Sequence, residues 1–418
     1  MAKAPPTINI ERLRDDLQTL ADIGKSEDHG IYRMAFTEAD MEARSWLAGK
    51  IESAGMHAHL DGAANVIGRI GPADERPAVM IGSHLDTVPG AGHLDGALGI
   101  VVALEVLRAI HESNWTTEYP LEMVAFSDEE GRFGPPVGSR ALVGDLTRAD
   151  LYGAADLDGN LLVDVMADRG LEPEEALASR RTSESLHAYL ELHIEQGPLL
   201  EQMNCPIGIV ESFAGLFKWT VRLIGDADHA GTTPMNMRED AFMGLAEFAA
   251  SIQRVLDENG SSDSVATIGR VELLPGSANT VPARAEFSLD VRDPDQEVLN
   301  ELANALRRVL SAIARRRSLM FEFDVLSEIR PVACDEAVVK EIGAAVDEIG
   351  IKSHRMASGA IHDAQIMSRI TRVGMIFVPS KDGRSHSPAE WTHWEDIEVG
   401  ADVALQTIIS LAQAKPKQ

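Results

Sequence analysis

Several short apolar runs in this chain break off abruptly into acidic or imidazole side chains, and that pattern constrains the fold more than any other. Residues 79–82 lead into Ser83, His84, Leu85 and Asp86; residues 121–126 lead into Ser127, Asp128, Glu129 and Glu130; residues 373–378 precede a polar loop that carries His386. A largely apolar run of this length is how a strand reads when both of its faces are covered, as in a parallel sheet. In such sheets functional side chains gather outside the C-terminal strand ends. His193 closes a further alternating segment, 189–194. Four places in the sequence thus aim titratable side chains at what should be one sheet edge.

The chemistry follows from the residue types. His84 offers an imidazole nitrogen, and Asp86, two residues on and so on the same strand face, is expected to hold the other ring nitrogen. Asp95 precedes the alanine-rich apolar stretch 97–110, which reads as a buried helix. A carboxylate there is more often a helix cap than a ligand, and only its nearness to His84 raises it. Neighbouring side chains on a strand point to opposite faces, so Glu130 can bind metal while Glu129 takes a proton from water. A lone histidine at 193 or 386 would read as structural; repetition at strand ends changes that. His84, Asp95, Glu130, His193 and His386 therefore form a candidate ligand set for a pair of divalent ions, with Glu129 as general base, and the chain reads as a hydrolase. Three imidazoles and two carboxylates suit zinc, manganese, cobalt or nickel.

The order of elements predicts an α/β catalytic domain, with a mainly parallel central sheet flanked by helices, interrupted by a second domain. Ile10, Leu13, Leu17, Leu20 and Ile23 recur at helical spacing, and Thr37 with Asp40 resembles a capping box for a second helix that Gly55 ends. Strand and helix signals alternate to about residue 210. From there the pattern becomes strand 216–224, helix 238–256, strands 265–273 and 285–291, a helix opened by Asp293-Pro294, and a strand through Phe321, Phe323 and Val325. That order is the split, ferredoxin-like α+β arrangement. It is an insertion, because His386 returns after it. The expected boundaries are 1–213 and 328–418 for the catalytic domain and 214–327 for the insert. A helix through Val339, Ile342, Val346 and Ile349 follows, and Thr392 with Glu395 is expected to cap a last one. Arg315, Arg316 and Arg317 end an insert helix, where positive charge suits the dipole.

A formal charge of -28 over 418 residues argues against nucleic acid or an anionic membrane as partner, since both need a basic footprint. The N-terminal segment 1–6 has no apolar core for a signal peptide, no stretch approaches a membrane span, and two distant cysteines make no disulfide framework. A cytoplasmic location is the expectation.

The segments Gly82-Ser83-His84-Leu85-Asp86-Thr87-Val88-Pro89, His193-Ile194-Glu195-Gln196-Gly197-Pro198, His229-Ala230-Gly231-Thr232-Thr233-Pro234-Met235 and Ser385-His386-Ser387-Pro388-Ala389-Glu390 resemble the hydantoinase/carbamoylase family of dinuclear metal amidohydrolases. That family includes N-carbamoyl-L-amino acid hydrolases, beta-ureidopropionases and allantoate amidohydrolases. The resemblance runs from about Arg33 to about Thr392. It implies that Asp95 bridges the two ions, with His84 and His193 on one and Glu130 and His386 on the other. It also implies that His229 contacts the substrate and its transition state, that Asn279 and Arg292 grip a substrate carboxylate, and that Gln196, Gly359 and Ala360 line the substrate site. The insert becomes a lid that closes over the catalytic domain and mediates a homodimer, with His229 acting in the partner's site. The chain departs from the family pattern at Ala91, around Arg132 and at Ile361, which puts the substrate in question rather than the ligands. Spacing alone fits an aminoacylase or dipeptidase equally well. The resemblance favours a small carboxylate-bearing ureido substrate, an N-carbamoyl-L-amino acid ahead of allantoate or beta-ureidopropionate; a non-catalytic small-ligand binding protein of the same fold would be expected to lose a ligand or the base, whereas Glu129 and all five candidate ligands are present.

Overall fold

The structure is a computed structural model that describes residues 5–71 and 76–413, so residues 1–4 of the segment read for a signal peptide lie outside it. The chain forms two compact units: Met1–Glu211 with Cys334–Met356 and His362–Gln418, and Ser212–Ala333 with Ala357–Ile361. The return expected at residue 328 comes later, because strand Met320–Ile329 runs through it.

In the first unit, strands Leu121–Phe126, Ala78–His84, Leu186–Ile194 and Val373–Val378 lie side by side in that order, all parallel. Antiparallel strands Val66–Ile70 and His57–Leu60 continue the sheet on one side, and Ile207–Phe213 on the other. Every residue of Ala78–His84, Leu121–Phe126 and Val373–Val378 is buried. Since alternate side chains face opposite ways, both faces of these strands are covered, which is why their sequences are largely apolar without alternation, the exception within Leu121–Phe126 being Glu122, paired with Arg69 and Arg181. Helix Ala97–Glu112, buried from Ala97 through Ile110, packs on this sheet, as do Glu336–Ile349 and Trp394–Gln413. Each buried Val, Leu or Ile side chain contributes roughly 1.5–3 kcal/mol.

Register brings the functional ends together. His84 pairs with Phe126, Val378 with Ile194, and Ile81 with Leu190, so three residues further on His84 and His193 come level.

Several local expectations need correction. Between residues 138 and 185 the alternation stops: short helices Gly138–Val143, Arg148–Gly153 and Leu162–Asp168 gather on a satellite core with Phe36, Phe133 and Met166. Thr37 does cap helix Glu38–Ser53, accepting from the Asp40 N–H, but Asp40 turns to the Phe36 N–H and to Arg44 instead of reaching back to Thr37. The Thr392 hydroxyl donates to the Pro379 carbonyl, so it does not cap the final helix.

Arg44 is itself a structural keystone for the site. Its buried guanidinium donates to Asp40 and to the carbonyls of Ala64 (2.8 Å) and Phe126 (3.1 Å), the last residue of the strand that leads to Glu129. Arg44→Ala leaves the Asp40 carboxylate in the core without its partner, and is expected to cost about 3–5 kcal/mol. A urea midpoint for the variant equal to the parent's would contradict this.

The second unit has an antiparallel sheet in the order Val271–Leu274, Arg284–Asp293, Gly215–Ile224, Met320–Ile329, with helices Ala241–Asn259 and Gln296–Arg316 packed against it. Residues of Arg284–Asp293 alternate between buried and half-buried, as a strand with one covered face requires. Its core includes Trp219, Phe248, Phe287, Leu302 and Leu306. The strand expected over 265–273 is two strands. Thr267 pairs with Asp290 and Val271 with Phe287, so three residues lie between the pairs on one strand and two on the other, a bulge in the edge. The first helix begins at Ala241, where Asp240 caps the Met243 N–H. The second begins after Asp295, while buried Asp293 accepts from the Asp295 N–H and the hydroxyls of Ser261 and Ser264. Arg316 and Arg317 pair with Glu247.

Candidate metal centre

Asp95 is the centre of a cluster at the C-terminal sheet edge of the first unit. Its Oδ1 faces Nε2 of His84 at 3.5 Å and Nε2 of His193 at 3.1 Å, and its Oδ2 faces Nε2 of His386 at 3.3 Å. Nε2 of His386 is also 3.5 Å from Oε1 of Glu130. Two groups of potential ligand atoms result, His84–Asp95–His193 and Asp95–Glu130–His386, each with its atoms within 4.8 Å of one another. They share Asp95 through different oxygens. Glu129 stands outside both groups, with Oε2 3.6 Å from Nε2 of His84.

Backbone carbonyls orient the rings. Nδ1 of His84 lies 3.0 Å from the Asp86 carbonyl, and Nδ1 of His193 lies 2.9 Å from the Ile194 carbonyl. A ring nitrogen facing a carbonyl carries the proton, so the neutral imidazole turns its Nε2 lone pair toward Asp95. Asp86 was expected to hold the His84 ring with its carboxylate. It does so with its carbonyl, because the strand ends at His84 and the chain turns. The Asp86 carboxylate instead accepts the N–H groups of Glu129 (3.2 Å) and Glu130 (3.1 Å), fixing the loop that presents both. Gly96 has φ 63°, and a Cβ there would collide with the His84 imidazole. Asp128, Gln196 and His386 also have positive φ, near 53°, 59° and 53°, a region that residues other than glycine seldom occupy.

The cluster is short of positive charge. Burial and the Asp95 charge push Glu130 up to about 7, and its Oε1 is buried without a hydrogen-bond partner. Burial likewise drives Glu129 well above the usual carboxylate range, helped by Asp363 and Glu130 and opposed by His84. The hydrogen bond to Asp95 raises His386 to about 9. Burial disfavours charge on His84, yet Glu129 and Asp95 carry it well above its ordinary value. Burial also works against the Asp95 charge, but His193, His386 and His84 hold it well below its own. Carboxylates that draw protons onto imidazoles are a site in which divalent cations replace those protons, so the residues present fit the ions.

Gln196 donates Nε2 to Asp95 Oδ2 at 2.7 Å. Sequence reasoning gave no role to Ser385 or Glu390, both of which turn on Asp95: Ser385 Oγ lies 2.7 Å from Asp95 Oδ2, and Glu390 accepts the Asp95 N–H. Both sit in the segment around His386, but nothing in their spacing points to Asp95.

The remaining expected substrate residues belong to the second unit. Strand Asp228–His229 pairs with Thr280–Val281, and the Ala230 N–H donates to the Asn279 carbonyl, so His229 and Asn279 are neighbours. Nδ1 of exposed His229 accepts the Gly231 N–H at 3.0 Å, which leaves Nε2 as the donor of the neutral ring. The Asn279 side chain accepts from Ser277. Arg292 donates Nε to Asp290 at 2.9 Å and Nη1 to the Gly359 carbonyl at 2.8 Å, which brings Arg292 and Gly359 together. Ala360 is held by Ser358, whose hydroxyl meets both its N–H and its carbonyl. Among the described residues no helix is long and apolar enough to cross a membrane, and Cys205 and Cys334 are free and buried.

Residues 80–410 match the model of peptidase family M20/M25/M40. The chain is 38% identical over 412 residues to an N-carbamoyl-L-amino acid amidohydrolase of Geobacillus stearothermophilus, covering 98% of this chain and 100% of that one. It is 32% identical to an allantoate amidohydrolase of Bacillus subtilis, with 97% of each chain covered. A crystal structure of a hydantoinase/carbamoylase family amidase from Burkholderia multivorans superposes with a TM-score of 0.90 at 33% identity, over 97% of this chain and 98% of the other. The mixed α/β architecture, the two ligand groups around Asp95 and these full-length similarities agree: the chain belongs to peptidase family M20/M25/M40, a family of metal-dependent hydrolases.

Proposed function

We propose that this protein hydrolyses the ureido C–N bond of an N-carbamoyl-L-amino acid, consuming one water and releasing the amino acid, carbon dioxide and ammonia. The observation that carries the reading is the pair of ligand groups sharing Asp95 with Glu129 beside them, joined to the full-length similarity to a relative named for that reaction. In this proposal His84, Asp95 and His193 hold one divalent ion and Asp95, Glu130 and His386 a second, drawn from zinc, manganese, cobalt or nickel. When bound, such a pair supplies Lewis acidity that activates water and polarises the scissile carbonyl.

The chain's own residues do the rest. Glu129 accepts the proton of the attacking water at a carboxylate oxygen and returns it to the departing nitrogen. His229, its Nε2 a donor, stabilises the developing oxyanion. Arg292 and Asn279, with Gln196, Gly359 and Ala360, orient the substrate and bind its carboxylate. The lid and dimerisation roles of the 214–327 insert, with His229 serving the partner subunit, and a cytoplasmic location belong to the same proposal.

The test is ammonia release from N-carbamoyl-L-methionine after chelation and metal add-back, run beside allantoate and beta-ureidopropionate, and beside a dipeptide whose cleavage is followed by the amino acids released, since a peptide bond yields no ammonia. Activity on the N-carbamoyl amino acid should vanish with the chelator and return with a divalent ion. A preference for allantoate would move the substrate assignment to the runner-up, and no turnover of any of the four would sink the enzyme reading. Arg292→Ala should chiefly raise KM for the N-carbamoyl acid, by about 10–100-fold for a lost charge-assisted contact of 1.5–3 kcal/mol. An unchanged ratio of activity between the acid and its decarboxylated analogue would remove Arg292 from the carboxylate.

A further inference from the structure

We infer that Glu390 is a positioning residue that locks the Asp95 loop to the His386 loop and so sets the affinity of the metal centre. The inference rests on the two-ion reading above. Glu390 is buried, and its Oε1 accepts the N–H groups of Leu94 (2.8 Å) and Asp95 (3.0 Å), 296 and 295 residues away in sequence. Its Oε2 lies 3.0 Å from Ser385 Oγ, and the same hydroxyl lies 2.7 Å from Asp95 Oδ2. One side chain therefore grips the main chain of the shared carboxylate on one side, and on the other the residue next to His386.

That grip bears on two features that do not hold themselves. His386 is about half exposed and has φ 53°, so neither packing nor backbone preference keeps its ring in place. Asp95 presents different oxygens to the two ligand groups, so a small rotation of its loop misaligns both. The seat for Glu390 is also specific: a Cβ on Gly92 would collide with the Glu390 Cβ and Oε1. Glu390 touches no candidate ligand atom directly. It acts through the Asp95 N–H and through Ser385.

Geometry rather than charge is what this arrangement needs, and that distinguishes the variants. In Glu390→Gln the amide oxygen accepts both N–H groups and the amide nitrogen donates to Ser385 Oγ, leaving the single Ser385 hydrogen for Asp95. Glu390→Ala removes the bonds to the Leu94 and Asp95 N–H groups and to Ser385. Gly92→Ala leaves Glu390 intact but displaces it.

The experiment is titration of the purified full-length protein with zinc, and in parallel manganese, against a chromogenic chelator, with thermal melting of each apo variant to monitor folding. The parent should take up two ions. Glu390→Ala and Gly92→Ala should lose about 10–100-fold in affinity, the usual effect of removing a partner that orients a ligand, with the weaker of the two binding steps suffering most. Glu390→Gln should stay near the parent. If Glu390→Ala does not fold, Gly92→Ala decides by itself. Parent-like affinity in the alanine variants, or a Glu390→Gln loss as large as that of Glu390→Ala, overturns the inference. A parent protein that takes up neither metal instead overturns the two-ion reading beneath it.

Discussion

Glu129→Gln is expected to lose about 10²–10⁴-fold in kcat, the usual contribution of a positioned proton acceptor, while keeping its metal. The proposed function gives proton transfer and metal binding to different residues. Neither ligand group around Asp95 includes Glu129, and its nearest basic neighbour, Nε2 of His84, is 3.6 Å away. The amide matches the carboxylate in size, and the Glu129 N–H donates to the Asp86 carboxylate. That bond survives the substitution. What is lost is an oxygen that can take a proton, and because an amide does not become basic in the working range, raising the pH should not restore the rate. The decisive measurement is kcat from pH 6 to 9 alongside metal content by elemental analysis. A variant with full metal and undiminished kcat removes Glu129 from the chemistry, while one that has lost metal makes it a ligand instead.

What could be seen in the sequence follows from where physics leaves a mark on composition. A strand buried on both faces is mostly apolar, so Ala78–His84, Leu121–Phe126 and Val373–Val378 announced themselves despite Glu122 in the second, and their ends located His84, Glu129 and Glu130. Insert strands with one covered face alternate, and they were found too. The errors lie where no such mark exists. Asp86 was assigned by strand alternation, but the strand ends at His84, and past that point alternation says nothing about direction. The bulge at 268–270 adds one residue to an edge without changing its polarity. Helix starts near 238 and 293 were misplaced because acidic residues crowd both, and only the hydrogen bonds single out Asp240 and Asp295 as the caps.

The most consequential features of the site were also the least legible. Glu390 meets the Leu94 and Asp95 N–H groups across nearly the whole chain, and no local pattern encodes a contact at that separation. For Asp95, by contrast, nearness to His84 in the sequence did raise the ligand reading above that of a helix cap. Its side chain caps nothing at helix Ala97–Glu112, whose N-terminal flank is Gly96, and both its oxygens point into the cluster. Base rates for carboxylates at helix starts fail here because the helix follows a strand end that carries a histidine.

The largest effect should come from Asp95→Asn, which changes one atom of the shared carboxylate. Oδ1 serves His84 and His193, and Oδ2 serves His386 while accepting from Gln196 Nε2 and facing Ser385 Oγ. An asparagine has one oxygen to offer. If its amide nitrogen takes the Oδ2 position, it faces the Gln196 amide donor at close range; if it takes the Oδ1 position, the group with His84 and His193 has no oxygen left from residue 95. The second arrangement keeps the hydrogen bond from Gln196 and is the one expected. The charge that the proposed pair of ions would share is gone in either case, and a loss of several kcal/mol of electrostatic stabilisation corresponds to at least about 10³-fold in kcat/KM. Metal content should fall below that of the parent even in excess zinc, and adding zinc or manganese should not restore turnover. Asp95→Asn that binds two ions and works within tenfold of the parent would mean that Asp95 does not join the two groups.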